Sequence, residues 1–436
     1  MGRQHNELSK YFREKIAMSK TFQSVAMIGL GYIGLPTAAV LASRGTNVIG
    51  VDINQHAVDT INQGHIHIVE PDLEALVHEV VRTGKLRATT KPEAADAFLI
   101  AVPTPFKGDH EPDLAYVEAA ARSIAPVLKK GDLVILESTS PVGSTEQMAQ
   151  WLAESRPDLT FPHQFGEGAD ISVAYCPERV LPGKVIHELV ENDRVVGGMT
   201  PRCAARASVL YKIFVKGECI ITNARTAEMC KLSENSFRDV NIAFANELSL
   251  ICDELNINVW ELIRLANHHP RVNILQPGPG VGGHCIAVDP WFIVDKSPKT
   301  ARLIRTAREV NDHKPHYVIA KVKAAAAKFA NPIIACLGLS FKADIDDLRE
   351  SPSVDIVQHL KEMKLGELLV AEPHISELPQ SLVGNDLKFM DANEAVAMAD
   401  IVLLLVNHQA FKEIGMDTLQ GKVVIDTRGL WKTQLV

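Results

Sequence analysis

The glycine spacing Gly29-x-Gly31-x-x-Gly34 restricts the start of this chain to one kind of fold. The motif follows an apolar run, 24–30, and opens a helical stretch of small residues, 33–43. Glycines at these positions permit a tight turn, close approach of a pyrophosphate to the backbone, and close packing of the helix on the strand. The pattern therefore predicts a βαβ unit that binds a dinucleotide.

Asp52 indicates which dinucleotide this unit binds. It ends a second apolar run, 47–52, and follows Gly34 by eighteen residues. A carboxylate at this position can accept hydrogen bonds from both hydroxyls of a ribose, and it repels a 2'-phosphate. We therefore expect NAD as the cofactor in preference to NADP.

Strand-like and helix-like segments continue to alternate beyond the first unit. This alternation predicts an α/β fold with parallel, doubly wound, Rossmann-like sheets. A second series of this kind begins after residue 332, but its first turn, 338–342, contains a single glycine and a lysine. We expect this second domain to hold a nucleotide of another kind. The strand-like runs are 98–102, 133–136 and 173–175 in the first series, and 333–337, 368–370, 401–406 and 423–426 in the second.

A long helical pattern separates the two series. Residues 224–255 contain no proline or glycine, and apolar residues recur in them every three or four positions, which predicts one amphipathic helix that holds a two-fold homodimer. Pro315 should break or kink a second helix, 300–329. The predicted domains are an N-terminal extension (1–21), an NAD-binding Rossmann domain (22–212), a central helical dimerisation domain (213–330) and a C-terminal Rossmann-like domain (331–436).

Composition excludes several other classes of protein. The formal net charge of −8 argues against a nucleic-acid binder, and no run of about 20 uncharged apolar residues predicts a membrane helix. The seven cysteines form neither a CxxC pair nor a cluster at zinc-ligand spacing. We therefore expect reduced thiols, no metal site and a cytoplasmic location.

A second glycine-rich segment carries a cysteine. Residues 278–283 contain four glycines and precede Cys285 and Asp289, and Lys231 and Asn235 show the same four-residue spacing on the long helix. Such a loop can bring backbone amides to a substrate, and a lysine or amide dipoles can stabilise a thiolate. A nucleophilic thiol beside a dinucleotide site indicates oxidation beyond the aldehyde, because an aldehyde-level intermediate gives the thiolate a carbonyl to attack.

Other polar residues stand where ligands bind in such folds. Thr104 and Thr139 each follow a strand, so their hydroxyls can reach the nicotinamide ribose or order a water molecule. Scattered cations beside turn residues could converge on a diphosphate. These cations are Arg179, Arg271, Lys342, Arg349 and Arg428.

Taken together, these motifs resemble the nucleotide-sugar 6-dehydrogenases, the UDP-glucose dehydrogenase family. The resemblance covers residue 22 to the end, and the runs 51–62, 66–73, 99–113 and 225–246 are most similar to members that oxidise UDP-N-acetyl-D-mannosamine. His284 stands where enzymes acting on UDP-glucose often have serine, which favours an N-acetylated sugar. The motifs that carry the resemblance are Gly29–Gly34, Asp52, Ser138-Thr139, Pro177-Glu178, Lys231 with Asn235, Gly282-Gly283-His284-Cys285 with Asp289, 341–344 and 349–351.

The resemblance implies a four-electron oxidation of the sugar C6 alcohol to a carboxylate with two NAD, which makes a uronate for surface polysaccharide or lipopolysaccharide of the common-antigen or O-antigen type. It implies that Cys285 forms a thiohemiacetal and then a thioester, with Lys231 as acid/base or oxyanion stabiliser. Asn235, Asp289, Thr139 and Glu178 would assist. Implied cofactor contacts are Gly29, Gly31, Tyr32, Ile33, Gly34, Asp52, Thr104, Thr139, Thr145 and Arg349. Implied UDP-sugar contacts are Arg179, Val180, Lys231, Asn235, Arg238, His269, Arg271, Gly282, Phe341, Lys342 and Arg428, with Arg271 reaching across the dimer.

Three other functions stay open at this point. The same chemistry could act on UDP-N-acetyl-D-glucosamine, the C2 epimer. A hydroxyacid dehydrogenase of the same fold would transfer a single hydride and ignore Cys285, and an NAD-sensing protein would bind the cofactor without turnover. The last two leave the conjunction of Lys231 and Cys285 unexplained.

Overall fold

The structure, a computed structural model, describes residues 22–68, 70–108, 110–180, 183–283, 285–384 and 386–431. The predicted extension, 1–21, and His284 lie outside the described residues. The chain divides into two compact units, one up to Ser233 and the other from Glu234 onward. The boundaries of the four predicted domains stay a prediction.

The elements follow one another in a regular α/β order. The strands are β1 (Ser24–Ile28), β2 (Asn47–Val51), β3 (Leu86–Thr89), β4 (Ala97–Ile100), β5 (Phe106–Lys107), β6 (Glu111–Pro112), β7 (Leu133–Leu136), β8 (Ser172–Tyr175), β9 (Arg194–Gly198), β10 (Cys219–Asn223), β11 (Ile333–Leu337), β12 (Glu367–Ala371), β13 (Leu387–Phe389), β14 (Ile401–Leu404) and β15 (Val423–Asp426). The helices are α1 (Gly34–Ser43), α2 (Gln55–Asn62), α3 (Leu73–Arg82), α4 (Ala115–Ile124), α5 (Ser144–Ser155), α6 (Pro162–Phe165), α7 (Val185–Glu191), α8 (Pro201–Tyr211), α9 (Ala224–Glu254), α10 (Val259–Ala266), α11 (Asp289–Lys296), α12 (Arg302–Ala326), α13 (Pro352–Met363) and α14 (Ala392–Met398).

The first unit is built on an eight-stranded sheet with the order β10-β9-β8-β7-β4-β1-β2-β3. Apolar clusters cover both of its faces, so its central strands are buried on both sides. The predicted Rossmann-like α/β fold is confirmed for this unit. The sheet is not wholly parallel, however, because β9 runs antiparallel to β8.

The second unit contains a five-stranded sheet with the order β13-β12-β11-β14-β15, in which every pair is parallel. This is the order of β3-β2-β1-β4-β7 in the first unit. Apolar clusters again cover both faces. The predicted second Rossmann-like domain is therefore confirmed.

The two long helices gave one correct and one wrong prediction. Helix α9 is continuous over 31 residues, as expected. Helix α12 also continues through Pro315, so a break there is wrong, and a kink there stays a prediction. Proline removes one backbone donor from a helix, but tertiary packing often outweighs such local effects, and α12 packs against both α11 and α13. Among the described residues, no helix is long and apolar enough to cross a membrane.

Candidate active site

The glycine turn after β1 has the geometry that the motif predicts. Gly29 has a φ of +91°, and a Cβ there would lie 2.4 Å from the carbonyl oxygen of Ala101. A Cβ at Gly34 would lie 1.8 Å from the Gly29 oxygen, whereas a Cβ at Gly31 would meet open space. Gly29 and Gly34 are thus required by the turn and its packing, and the space beside Gly31 fits a pyrophosphate.

The two other residues of this turn that are predicted to contact the cofactor lie between Gly31 and Gly34. Tyr32 is exposed, and Ile33 precedes the first turn of α1. No side chain caps the start of α1, which leaves this helix end suited to an anion.

Asp52 is held at the end of β2 by two backbone amides. One carboxylate oxygen accepts the N–H of Leu30 and the other accepts the N–H of Asn54, both at 2.9 Å. Each oxygen keeps lone-pair capacity for a further donor. The half-buried carboxylate is therefore fixed in orientation and can still accept hydroxyl groups.

The turns after β4 and β7 are joined by hydrogen bonds. The Thr104 hydroxyl donates to the carbonyl oxygen of Thr139 at 2.5 Å, and the Ser138 hydroxyl donates to the carbonyl of Val102 at 2.7 Å. Both threonines are half-buried at the carboxyl edge of the sheet. The structure thus brings the two predicted hydroxyl residues together.

Thr145 differs from the expectation for a cofactor contact. Its side chain is fully buried, and its hydroxyl donates to the Glu228 carboxylate at 2.6 Å. The same carboxylate accepts the N–H groups of Gly143 and Thr145, so Glu228 caps the start of α5. The Thr145 hydroxyl is therefore occupied within the fold.

Glu178 lies in a buried ionic cluster. One of its oxygens contacts Arg194 at 2.6 Å, and the other accepts the N–H of Arg179 at 2.7 Å. Arg194 also stacks over the ring of Tyr211, whose hydroxyl donates to Glu137 at 2.6 Å. The cluster therefore holds two carboxylates and one guanidinium, and burial raises the pKa of Glu137 to about 7.

Replacing Glu137 with glutamine is expected to change how the free energy of unfolding depends on pH. The unfolded chain releases the Glu137 proton near the ordinary pKa, whereas the folded chain keeps it until about pH 7. Between these two values the folded state binds more protons, so this group makes the wild type less stable as pH rises, by up to about 3 kcal/mol. Glutamine removes the effect. Relative to the wild type, the free energy of unfolding of Glu137→Gln should therefore increase between about pH 5 and about pH 8.

Tyr211→Phe is the matched variant for this prediction. The Tyr211 hydroxyl lowers the pKa of Glu137, so its removal should extend the loss of stability to higher pH. Urea unfolding of the three proteins at several pH values measures both effects. An identical pH dependence in wild type and Glu137→Gln would contradict a buried, neutral Glu137.

In the second unit, Cys285 opens the turn that leads into α11, and Asp289 is the first residue of that helix. Cys285 is exposed, and its carbonyl accepts the N–H groups of Val288 and Asp289 at 3.1 and 2.9 Å. The buried Asp289 carboxylate accepts a short hydrogen bond from the side-chain amide of Asn235 on α9. Lys231 is half-buried and lies one helical turn before Asn235. The predicted carboxylate and amide thus form a pair at the start of the helix that follows the cysteine.

The glycine run before Cys285 is closely packed. A Cβ at Gly280 would lie 2.7 Å from Pro352, and one at Gly282 would lie 2.6 Å from the Glu350 carbonyl. Gly283 has a φ of +81° and lies against the ring of Phe341. Besides any role in presenting amides, the run therefore packs against the segment that leads into α13.

A buried polar chain that the sequence did not reveal anchors this run. The Gly278 N–H donates to Asn246, which donates to Asn311, and Asn311 donates to the Asp239 carboxylate. Arg308 also pairs with Asp239, at 2.7 Å. Asp239 and Asn246 lie on α9, and the other two side chains lie on α12, so both long helices hold the start of the cysteine loop.

The three predicted cations of the C-terminal half have different surroundings. Arg428 lies against Gly278 and donates to the Leu405 carbonyl at 3.0 Å, and burial lowers its pKa to about 10. Lys342 is exposed. Arg349 is held by Asp347 in a bidentate pair.

The remaining predicted substrate residues are spread over both units. Arg238, His269 and Arg271 are exposed in the second unit, and Val180 packs against a core cluster of the first. The Asn267 side chain bonds both the N–H and the carbonyl of Ile274. These two hydrogen bonds close the loop that carries His269 and Arg271. No local sequence signal predicted them.

Three family models match the chain in succession. They describe the UDP-glucose/GDP-mannose dehydrogenase family: its NAD binding domain at 23–215, its central domain at 225–313 and its UDP binding domain at 335–433. The chain belongs to the UDP-glucose/GDP-mannose dehydrogenase family. The family resemblance and NAD as the cofactor are therefore confirmed, and the Gly29 turn and Asp52 are the structural features that fit this cofactor.

Named relatives of this dehydrogenase family cover almost the whole chain. An NDP-N-acetyl-D-galactosaminuronic acid dehydrogenase from Ralstonia nicotianae is 68% identical and covers 96% of this chain and 99% of its own. A UDP-N-acetyl-D-mannosamine dehydrogenase from Escherichia coli K12 is 67% identical, with 94% and 100% covered. A solved UDP-D-ManNAc dehydrogenase from Pyrococcus horikoshii has a TM-score of 0.83 at 39% identity, with 93% and 96% covered. The chain is thus an NAD-dependent nucleotide-sugar dehydrogenase.

Proposed function

We propose that this chain oxidises the C6 alcohol of UDP-N-acetyl-D-mannosamine to the carboxylate of UDP-N-acetyl-D-mannosaminuronate. The observation that carries the proposal is the exposed Cys285 at the end of a packed glycine loop, with the Asn235–Asp289 pair at the start of the helix that follows it. A dehydrogenase that stops at the aldehyde has no use for such a thiol. NAD, when bound, accepts the two electrons of each oxidation.

Cys285 supplies the covalent part of the reaction. Its deprotonated sulfur adds to the C6 aldehyde, so a C–S bond forms and the carbonyl oxygen becomes the hydroxyl of a thiohemiacetal. The second oxidation removes the C6 hydrogen as a hydride and the hydroxyl hydrogen as a proton, which leaves a thioester. Water then adds to the thioester, the C–S bond breaks, and the thiol and the carboxylate are released.

Polar side chains orient the reactants and move protons. Asn235 donates to Asp289 and so fixes the orientation of that carboxylate, which is suited to support the attacking water. From the family motif, Lys231 is the acid/base or oxyanion stabiliser. Glu178 pairs with Arg194 at 2.6 Å, and the family motif assigns Glu178 and Thr139 to the water. Phe341, Lys342, Arg271 and Arg428 bind the UDP-sugar.

The relatives indicate which other sugars are candidates for the substrate. Relatives named for N-acetyl-D-mannosamine and for N-acetyl-D-galactosaminuronic acid are 67% and 68% identical, so an N-acetylgalactosamine nucleotide is the second candidate. UDP-N-acetyl-D-glucosamine remains the rival that the sequence left open. All three sugars carry the N-acetyl group, which is consistent with the departure from serine at position 284.

A panel of purified nucleotide sugars tests the substrate. NADH formation should be faster with UDP-N-acetyl-D-mannosamine than with UDP-N-acetyl-D-glucosamine, UDP-N-acetyl-D-galactosamine or UDP-glucose. Higher kcat/KM for the galacto or gluco sugar would reassign the substrate and leave the reaction type intact. A single NADH per sugar would instead favour a hydroxyacid-type dehydrogenase, and binding of NAD without turnover on any sugar would favour a sensor.

We also propose that α9 forms a homodimer. Phe237, Phe244 and Ile251 repeat along one face of this helix and Leu255 follows its last residue, and their exposed fractions are 73%, 51%, 44% and 62%. An apolar stripe of this length on the surface of a chain marks an interaction surface. Its continuity along one helix fits an isologous contact with a second copy.

Charges placed in this stripe are expected to separate the dimer. The double variant Phe237→Glu, Phe244→Glu buries two unpaired carboxylates in the interface, so light scattering at micromolar concentration should report a monomer. Val383→Glu is the control, because Val383 is 63% exposed outside α9. A wild-type monomer, or a variant that stays dimeric, would refute the α9 interface.

The cellular setting follows from the same chemistry. A nucleophilic Cys285, and seven cysteines with no disulfide among the described residues, favour a reducing compartment such as the cytoplasm. The uronate product would serve synthesis of a surface polysaccharide.

A further inference from the structure

The first unit fixes its cofactor turn by a short series of hydrogen bonds. The Gly29 N–H donates to the Val51 carbonyl at 2.8 Å. The Leu30 and Asn54 N–H groups donate to the two oxygens of Asp52. The Asp52 carboxylate at the end of β2 thus holds the turn that follows β1.

The second unit repeats this arrangement bond for bond. The Gly338 N–H donates to the Ala371 carbonyl at 2.9 Å, and Gly338 has a φ of +95°. The Leu339 N–H donates to Glu372 at 2.7 Å, and the His374 N–H donates to the other Glu372 oxygen at 3.1 Å. Glu372 therefore occupies the place of Asp52.

The two carboxylates differ in what else they accept. Glu372 also accepts the Ser340 N–H at 3.1 Å and contacts His408 Nε2 at 3.0 Å. His408 Nδ1 accepts the N–H of Asp344 at 2.9 Å, so the proton of the neutral ring is on Nε2 and points to Glu372. Both side chains are fully buried, whereas Asp52 is half-buried. Ser340 and His408 thus use acceptor capacity of Glu372 that the equivalent Asp52 keeps for a further donor.

Metal binding does not explain this cluster. Ligand atoms of Asp344, His374 and His408 lie within 4.8 Å of one another. His408 has no lone pair to offer, however, because Nδ1 accepts a backbone N–H and Nε2 carries the proton. The arrangement is therefore a hydrogen-bond network.

The network extends to the residues that carry the nucleotide-binding motif. The Ser340 hydroxyl lies 3.3 Å from His408 Nε2 and donates to the carbonyl of Lys342 at 2.7 Å. Asp344 has a φ of +61°, which is unfavourable for a non-glycine residue, and His408 holds its N–H. The backbone on both sides of Phe341 and Lys342 is thus tied to one buried pair.

We propose that Glu372 and His408 are positioning residues for the UDP part of the substrate. They hold 339–344 in one conformation, and the acceptor capacity that the equivalent Asp52 keeps for a further donor is used at Glu372. The second Rossmann-like unit is thereby committed to a nucleotide held by Phe341 and Lys342 and is closed to a dinucleotide. This inference rests on the proposed function, because it takes UDP as the ligand of this unit.

Calorimetric titration of the full-length protein with UDP alone, and separately with NAD, tests the proposal. Glu372→Gln places an amide donor among N–H donors, so UDP should bind roughly tenfold more weakly or worse while the NAD affinity stays within about twofold. Asp52→Asn should show the reverse pattern. With the UDP-sugar, Glu372→Gln should raise KM more than it lowers kcat.

Two substitutions of His408 separate its two bonds. Asparagine can replace Nδ1 as the acceptor for Asp344, and glutamine can replace Nε2–H as the donor to Glu372. Each should restore part of the UDP affinity that His408→Ala loses. Such rescue depends on hydrogen-bond geometry and is not expected if the ring only fills space.

The outcomes separate this proposal from the one on which it rests. If the variants bind UDP as tightly as the wild type, the pair has no positioning role. The same conclusion follows if the variants lose affinity for both UDP and NAD and also lose the melting transition of a folded protein. If the wild type does not bind UDP, the proposed function itself fails, and this inference with it. Selective loss of UDP affinity supports both.

Discussion

Cys285→Ser is expected to leave the oxidised sugar attached to the protein. A serine oxygen can still attack the aldehyde, and the second oxidation then gives an ester. An alkoxide is a much poorer leaving group than a thiolate, so hydrolysis should become the slow step. Incubation with NAD and UDP-N-acetyl-D-mannosamine should add the mass of the acyl group to the intact protein, and uronate release should fall by roughly 10³-fold or more.

Two controls fix the interpretation of this result. Cys285→Ala should show no adduct and almost no uronate, because no nucleophile is left. Cys219→Ser should behave as wild type, since Cys219 is half-buried on β10 and burial raises its thiol pKa. Near-normal uronate formation by Cys285→Ala would make the thiol structural and would overturn the covalent mechanism.

Asp52→Ala is expected to remove most of the preference for NAD over NADP. The carboxylate is fixed by the Leu30 and Asn54 amides, so it cannot move away from a 2'-phosphate. Like charges in contact at a binding site cost several kcal/mol, which corresponds to a preference of roughly 10²-fold or more in the wild type. The variant should use NAD less efficiently and NADP more efficiently.

Asp59→Asn provides the comparison for this variant. Asp59 is an exposed acid on α2, so its removal changes the net charge by the same amount at a place that the cofactor motif does not include. The ratio of kcat/KM for the two cofactors should stay at the wild-type value. Equal use of NAD and NADP by the wild type would contradict the role given to Asp52.

Local sequence signals predicted the parts of the fold that depend on neighbouring residues. The turn of Gly29 and Gly34, the run of α9 and the buried strands β7, β11 and β14 all have strong patterns within a few residues. Strands β9 and β10 were missed, and so was the antiparallel direction of β9. A strand's direction depends on where the chain returns to the sheet, and no short pattern carries that information.

The candidate site shows the same division. Cys285, Asp289 and Asn235 could be named from spacing and family motif, and the structure brings the last two into contact. The use of Thr145 could not be foreseen, because its partner Glu228 lies 83 residues away in the sequence. The Asn246 anchor of the cysteine loop likewise depends on Asn311, 65 residues away. Such long-range polar contacts arise from tertiary packing, which residue types and local spacing do not determine.

The stoichiometry of NADH tests the central claim most directly. A limiting, weighed amount of UDP-N-acetyl-D-mannosamine should be consumed by the wild-type protein with two NADH formed per sugar, one uronate released, and no aldehyde trapped by an added hydroxylamine. One NADH per sugar with trapped aldehyde would mean that the reaction stops after the first oxidation. That result would contradict the covalent, four-electron function proposed for Cys285.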